Sequence, residues 1–329
     1  MGALHVGEPR VSFQQQQVGK NGQQGHGHGA VVEEIHGLIK VYRDGFVERI
    51  PAIPDVPCTW GTTASVPGVV IARDAVVDRA TRVWARLAYH EFLAKLAPRP
   101  GFRLNVGRLP ALRGINGLPA AFDDGVTAVR WLRQQAAISS AADELSWWRG
   151  RCRFDRVFLA GDSAGATIAF HVAARLGHGQ LGALTPLDVK GAILIQPFFG
   201  GETRTASEKT MPQPPGSALT LSTSDTYWRM SLPAGATRDH PWCNPVTGRG
   251  APRLDSLPLP DFLVCISEQD ILRDRNLELC SALRRADHSV EQATYGGVGH
   301  AFQVLNNYHL SQPRTQEMLA HIKAFVRAR

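Results

Sequence analysis

The segment 154–177, FDRVFLAGDSAGATIAFHVAARLG, constrains the fold more than any other part of the chain. An apolar run predicts a strand, a five-residue turn follows, and the spacing of the next apolar residues predicts a helix that ends at Gly177. The turn, GDSAG, matches the pattern G-x-S-x-G, in which glycines permit a sharp strand-to-helix bend. Such a bend presents Ser163 at the helix N-terminus, where developing negative charge is stabilised. We therefore predict that Ser163 is a nucleophile and that the backbone N–H of Ala164 binds an oxyanion; the alternative is an ordinary glycine-rich turn.

Strands and helices alternate through the rest of the chain. The short apolar runs VKGAILIQPFF (189–199) and DFLVCISEQD (261–270) have the form of buried parallel strands. Helical spacing is found in FDDGVTAVRWLRQQAA (122–137) and EMLAHIKAFVRA (317–328). This alternation predicts an α/β fold with a mostly parallel central sheet and helices on both faces. The stretch 203–259 is rich in proline, glycine and serine, and is expected to form irregular cap or loop structure.

The amino-terminal part begins with a biased segment. Residues 1–30 are rich in glycine, glutamine and histidine, and such a composition cannot bury enough apolar surface to offset the entropy of ordering. We therefore predict a disordered tail at 1–30 and a single domain at 31–329. Further elements are predicted as a hairpin around Asp44-Gly45 in GLIKVYRDGFVERI (37–50), strands in VVIARDAVV (69–77) and ATRVWARL (80–87), and a helix in YHEFLAKLA (89–97).

Composition excludes several classes of function. The net charge is +7, but lysine and arginine are spread along the chain and interleaved with acids, so no nucleic-acid partner is expected. No apolar run is long enough to span a membrane. Five scattered cysteines without a C-x-x-C pair fit reduced thiols in the cytoplasm. His26 and His28 lie on the predicted tail, and we expect neither a metal site nor a cofactor.

A nucleophilic serine needs a histidine that accepts its proton and a carboxylate that orients that histidine. Asp270 follows the apolar run at 262–266, at the carboxyl end of a predicted strand, where α/β proteins build their sites. Glu268 is the alternative acid. His300 follows the glycine-rich loop GGVG, and the order Ser163, Asp270, His300 suits a catalytic triad. Four other histidines compete for the role of base: His240, His288, His309 and His321.

Aromatic residues are the candidates for a substrate pocket. Phe198, Tyr227 and Trp228 are predicted to line it, with core packing as the alternative for each. Asp162, next to the serine, is the polar candidate for substrate binding.

Seven blocks carry a resemblance to a known family. They are VEEIHGLIKVYRDGFVERI (32–50), LPAAFDDGVTAVRWL (118–132), FLAGDSAGATIAFHVAAR (158–175), GAILIQPFFGGETRTASE (191–208), DTYWRMSLPAGATRDHPWCNP (225–245), ISEQDILRDRN (266–276) and YGGVGHAFQVL (295–305). Together they resemble the plant carboxylesterases of the hormone-sensitive-lipase-like group. The resemblance implies an α/β-hydrolase fold, cofactor-free hydrolysis of esters with small or medium acyl groups, and Ser163, Asp270 and His300 as the triad. Gibberellin receptors share this fold but lack the catalytic histidine, so His300 favours an enzyme.

The chain departs from that family at one point. Family members carry a strand followed by His-Gly-Gly-Gly, whose backbone N–H groups complete the oxyanion hole. Here ATRVWARL (80–87) continues directly into Ala88 and YHEF, and no His-Gly-Gly occurs in the sequence. The resemblance therefore predicts a sheet that lacks one core strand and a serine esterase impaired by an incomplete oxyanion hole. Two alternatives stay open: a non-catalytic protein that binds a small ligand, as the receptors do, and a chain without a stable fold.

Overall fold

The computed structural model describes residues 28–35, 39–49, 72–80, 83–88, 103–108, 117–138, 145–150, 152–177, 184–214, 217–248, 250–251 and 253–329. The strands are β1 (Val31–Ile35), β2 (Ile39–Tyr42), β3 (Val47–Arg49), β4 (Ala72–Asp78), β5 (Val83–Ala88), β6 (Arg103–Arg108), β7 (Val157–Asp162), β8 (Val189–Ile195), β9 (Asp261–Ser267) and β10 (Val290–Tyr295). The helices are α1 (Ala120–Ala137), α2 (Ser146–Arg149), α3 (Ala164–Gly177), α4 (Ala206–Thr210), α5 (Leu221–Ser231), α6 (Arg273–Arg285), α7 (Phe302–Leu305) and α8 (Ser311–Ala328), with a 3₁₀ turn at Leu254–Ser256.

A four-stranded parallel sheet in the order β10-β9-β8-β7 forms the core. The middle strands β8 and β9 are buried over most of their length. Their side chains alternate between the two faces, so that Ile193 packs with Phe325 of α8 while Leu194 packs with Phe170 of α3 and Leu279 of α6. Helices therefore cover both faces of this sheet, as predicted.

Strand β7 is an edge of that sheet. It pairs with β8 in parallel, with Leu159 opposite Ala192, and pairs with no other strand within the described residues. None of its six residues is buried, and Ala160 and Asp162 are exposed. An exposed edge leaves backbone N–H and C=O groups without strand partners.

A second sheet is antiparallel, in the order β4-β5-β6. Helix α1 lies against all three of its strands and against α3, and so bridges the two sheets. No strand joins β6 to β7 in the part of the chain that the structure describes. The strand loss that the sequence predicts between Leu87 and Tyr89 falls between β5 and β6 in chain order, and it stays a prediction.

A third sheet, β1-β2-β3, is antiparallel, and its turn contains Gly45 at a φ of +82°. The predicted hairpin around Asp44-Gly45 is thus confirmed. His28, which the sequence assigns to the tail at 1–30, contacts this hairpin. The ring of His28 stacks on Phe46 with centroids 3.9 Å apart, and His28 Nδ1 lies 2.7 Å from Asp44 Oδ2. Residues 28–30 therefore belong to the described part of the chain, whereas residues 1–27 lie outside it.

The remaining predictions concern helices. Helices α1 and α3 lie where predicted, and α3 ends at Gly177. Helix α8 begins at Ser311, before the predicted start, and Pro313 suits its first turn because no hydrogen bond from nitrogen is required there. The stretch 203–259 contains the helices α4 and α5, which the sequence analysis did not predict. Each opens with a capping box, at Thr205 and at Thr220. The predicted helix at 89–97 lies outside the described residues, and none of the described helices is long and apolar enough to cross a bilayer.

Candidate active site

The turn between β7 and α3 is tight, as the glycine pattern requires. A Cβ on Gly161 would lie 2.2 Å from the carbonyl oxygen of Gly165, so that only glycine fits. Ser163 has a φ of +50°, a left-handed conformation that residues with a Cβ rarely adopt. Its backbone N–H donates to Ile195 O at 2.8 Å, which ties the strained turn to the end of β8.

Three predicted side chains meet beside this turn. Ser163 Oγ lies 2.9 Å from His300 Nε2, and His300 Nδ1 lies 2.7 Å from Asp270 Oδ2. The His300 side chain is 8% exposed and that of Asp270 is 1% exposed, so water does not compete strongly for these bonds. With Nδ1–H donating to Asp270, Nε2 is left to accept the proton of the serine hydroxyl.

Two features of the surroundings of His300 change its pKa in opposite directions. Burial disfavours the imidazolium and lowers its pKa, but the charge and hydrogen bond of Asp270, with a smaller contribution from Asp162, outweigh burial. The pKa of His300 is therefore raised above the ordinary histidine value of 6.5. A base with a raised pKa is a stronger proton acceptor, but it is neutral only at a correspondingly higher pH.

The other candidate acids have different partners. Asp270 Oδ1 accepts from Leu272 N at 3.0 Å, which fixes the carboxylate at the start of α6. Glu268 accepts from Gly297 N at 2.8 Å, so it contacts the loop that carries the histidine rather than the histidine itself. The structure therefore brings Asp270, and not Glu268, to the imidazole.

Three of the four competing histidines make hydrogen bonds away from Ser163. His240 accepts from Trp242 N, His288 contacts Leu254 O, and His321 contacts the hydroxyl of Tyr295. His309 is exposed. None of these contacts includes Ser163.

The aromatic candidates form one cluster next to the serine. Phe198 N donates to Ser163 O at 3.2 Å. The ring of Phe198 stacks on that of Trp228 at 4.9 Å, and Tyr227 meets it edge-on at 6.3 Å. Phe198 and Trp228 are 8% and 2% exposed, so they belong to the core. Tyr227 is half-buried and is therefore the most accessible of the three. Its partial burial raises the pKa of its hydroxyl.

The sequence pattern of the α/β hydrolase fold matches residues 115–304, which is more than half of the chain. This chain belongs to the α/β-hydrolase fold family.

Relatives place this hydrolase more narrowly. Probable carboxylesterase 6 of Arabidopsis thaliana is 39% identical, and the match covers 91% of this chain and 92% of the relative. A gibberellin receptor of the same plant is 35% identical, over 65% of this chain and 55% of the receptor. A thermostable esterase of Pseudomonas putida has the same fold at 15% identity, with a TM-score of 0.61, covering 78% of this chain and 83% of the esterase. The hydrolase is thus a member of the plant carboxylesterase group, among the carboxylic ester hydrolases of this fold.

Ala164 is the oxyanion donor that the sequence predicts in this hydrolase. Ala164 is the first residue of α3, where backbone N–H groups have no partner within the helix, and it is exposed. Gly117 lies against Ser231 O, Leu118 N donates to that same oxygen at 2.9 Å, and 109–116 lie outside the described residues.

One residue at this site was missed by sequence reasoning. Gln196 interrupts the apolar run ILIQPFF, and it is 1% exposed in the hydrolase. A polar residue inside a run that predicts a buried strand is the signal that could have identified it, because a buried amide must find hydrogen-bond partners. Among the described residues, no group of three side chains is arranged to hold a metal ion.

Proposed function

We propose that this hydrolase is a serine carboxylesterase that cleaves esters with small or medium acyl groups. The observation that carries the proposal is the continuous hydrogen-bonded series from Ser163 through His300 to Asp270. The groups follow one another in the order that proton transfer requires, and the turn holds the half-buried serine in a strained backbone conformation.

The reaction follows from these positions. Ser163 Oγ attacks the ester carbonyl while His300 Nε2 takes its proton, and Asp270 stabilises the imidazolium. The tetrahedral intermediate places its negative oxygen near the Ala164 N–H. Collapse breaks the bond to the alkoxy oxygen, which leaves with the proton from His300. Water, deprotonated by the same imidazole, then releases the acid from Ser163.

We further propose that turnover is slow because the oxyanion hole is incomplete. Three observations support this: the unpaired edge of β7, the exposure of Ala164, and the length of the carboxylesterase 6 alignment. That alignment runs over 339 positions, more than the 329 residues of this chain, so the relative contains residues that this chain lacks. Each missing donor costs about 2.7–4 kcal/mol of transition-state stabilisation.

A non-catalytic, receptor-like function is the second candidate. The similarity to a gibberellin receptor and the exposure of Ala164 favour it. The hydrogen bond between His300 and Ser163 favours the esterase, because a binding protein has no need of a base held against a serine.

A fluorophosphonate probe tests the proposal, because it reports an activated serine even where turnover is slow. We expect covalent labelling of Ser163, found by mass spectrometry of the tryptic peptide, and none in Ser163→Ala. Hydrolysis of p-nitrophenyl acetate, butyrate and octanoate then tests acyl length, with the shorter two preferred. A folded chain that is not labelled would support the binder, and failure to obtain a cooperative thermal melt would support an unstable chain.

A further inference from the structure

Gln196 adopts an unfavourable conformation in the middle of the molecule. It directly follows β8, its φ is +48°, and its side chain is almost wholly buried. Its backbone N–H donates to Cys265 O of the neighbouring strand at 2.8 Å. Left-handed backbone at a residue with a Cβ persists only where the surroundings hold it.

The side-chain amide of Gln196 binds the backbone on both sides of His300. Its Oε1 accepts from Ala301 N at 2.8 Å, and its Nε2 donates to Gly299 O at 3.4 Å and to Ser267 Oγ. Ala301 is itself left-handed, with a φ of +58°. One amide thus fixes the two peptide groups that determine where the imidazole points.

The same segment also binds the nucleophile. Ser163 N donates to Ile195 O, and Phe198 N donates to Ser163 O. Residues 195–198 therefore contact the backbone of Ser163 on both sides and, through Gln196, the backbone of His300 on both sides. The segment thus contacts the backbones of the two residues whose side chains, at Ser163 Oγ and His300 Nε2, lie 2.9 Å apart.

We infer that Gln196 is a positioning residue, which holds His300 at the distance and angle needed to accept the serine proton. The inference rests on the proposed function, since it assigns a role only if His300 is the base. Glutamine suits the role because one side chain supplies both the acceptor for Ala301 and the donor for Gly299. The loop before the histidine, GGVG, has little stiffness of its own, so its position must come from such contacts.

Gln196→Met tests the inference, because it keeps the approximate volume and removes both bonds. We expect kcat for p-nitrophenyl acetate to fall about 10- to 100-fold, with KM within about twofold, since misplacement of a catalytic group affects the transition state more than binding. We also expect the pH at which the rate rises to move down, because a displaced imidazole loses part of the Asp270 interaction that raises its pKa while it stays buried.

Gln135→Met is the matched control. Gln135 is also a buried glutamine, 8% exposed, but it accepts a hydrogen bond from Arg149 in α2, away from the site. Its loss should lower the melting temperature and leave kcat and the pH profile unchanged. If Gln196→Met does not fold, Ser267→Ala replaces it: this small change removes one partner of the Gln196 amide, and we expect kcat to fall about two- to fivefold with KM unchanged.

The rate of fluorophosphonate labelling separates the inference from the proposal on which it rests. An unlabelled wild-type chain overturns the esterase. A wild-type chain that is labelled, with folded Gln196→Met labelled at the same rate and with the same pH dependence, overturns the positioning role and leaves the esterase standing. Slower labelling of Gln196→Met, with Gln135→Met at the wild-type rate, supports both.

Discussion

The two halves of this hydrolase differ in the architecture of their sheets. From residue 152 onwards, four parallel strands are covered by helices on both faces, and β8 and β9 are buried. Before residue 152, the strands β4, β5 and β6 form a separate antiparallel sheet. The boundary between the halves is the edge of β7, the strand that leads to Ser163.

This difference separates two components of catalysis. The proposed base His300, the carboxylate of Asp270 and the Gln196 amide beside them all come from the half after residue 152. The further oxyanion donors expected from the family would come from the half before residue 152. The predictions below test the proposed base on one side and the proposed loss of oxyanion donors on the other.

The largest effect is expected from removal of the base. His300→Ala should lower kcat for p-nitrophenyl acetate by about 10³-fold, because no general base remains to accept the proton of the Ser163 hydroxyl. His309→Ala, which changes an exposed histidine that follows α7, is the control and should retain the wild-type rate. Steady-state kinetics on both proteins would decide, and an equal loss in both would show that the effect is not proton transfer.

The next largest effect is expected from an insertion in the half before residue 152. Insertion of a family-type strand and glycine loop between Leu87 and Tyr89 should raise kcat by at least about 10²-fold, with little change in KM, because the added donors act on the transition state. The control insertion has the same strand with its glycines replaced by alanine and valine. An inserted chain without improvement would mean that the damage extends into 102–117. A native chain that already matches efficient esterases would mean that another segment supplies the donors.

A smaller effect is expected in the rates of amide hydrogen exchange of the two sheets. Amide hydrogens of β8 and β9 should exchange at least about tenfold more slowly than those of β4, β5 and β6, because they lie in a buried sheet paired on both sides. Hydrogen–deuterium exchange with mass spectrometry measures this directly. Equal protection in the two sheets would show that the halves unfold as one unit and that the open edge of β7 has no energetic consequence.

The smallest effect concerns pH. His300 accepts a proton only when neutral, and its pKa is raised, so the esterase rate should increase with pH with a midpoint above 6.5. Asp162→Asn should move that midpoint to lower pH, because the Asp162 charge is one of the causes of the raised pKa. Asp155→Asn, at an exposed aspartate paired with Arg153, should leave it in place. A midpoint unchanged in Asp162→Asn would show that solvent screens this charge.

Local patterns in the sequence predicted much of this arrangement. The strand, turn and helix around Ser163, the hairpin at Asp44-Gly45 and the buried strands β8 and β9 all follow from spacing and glycine placement. Patterns failed where short helices depend on capping contacts, as in α4 and α5, and where His28 packs against a hairpin 16 residues away. The role of Trp228 also needed the structure, because an aromatic residue looks the same in a sequence whether it lines a pocket or fills a core.

What the sequence by itself determined is therefore the set of candidates: a nucleophile in a glycine-rich turn, two possible acids and five possible bases, four of which follow the acids in the chain. Only the tertiary structure selected among them. Asp270 meets His300 while Glu268, two residues away, binds Gly297 instead. The physical reason is that hydrogen bonds act over about 3 Å, whereas the residues that form them lie 30 to 137 positions apart in the chain. Their meeting depends on the parallel register of β8 and β9 and on contacts such as those of Gln196, which no local pattern encodes.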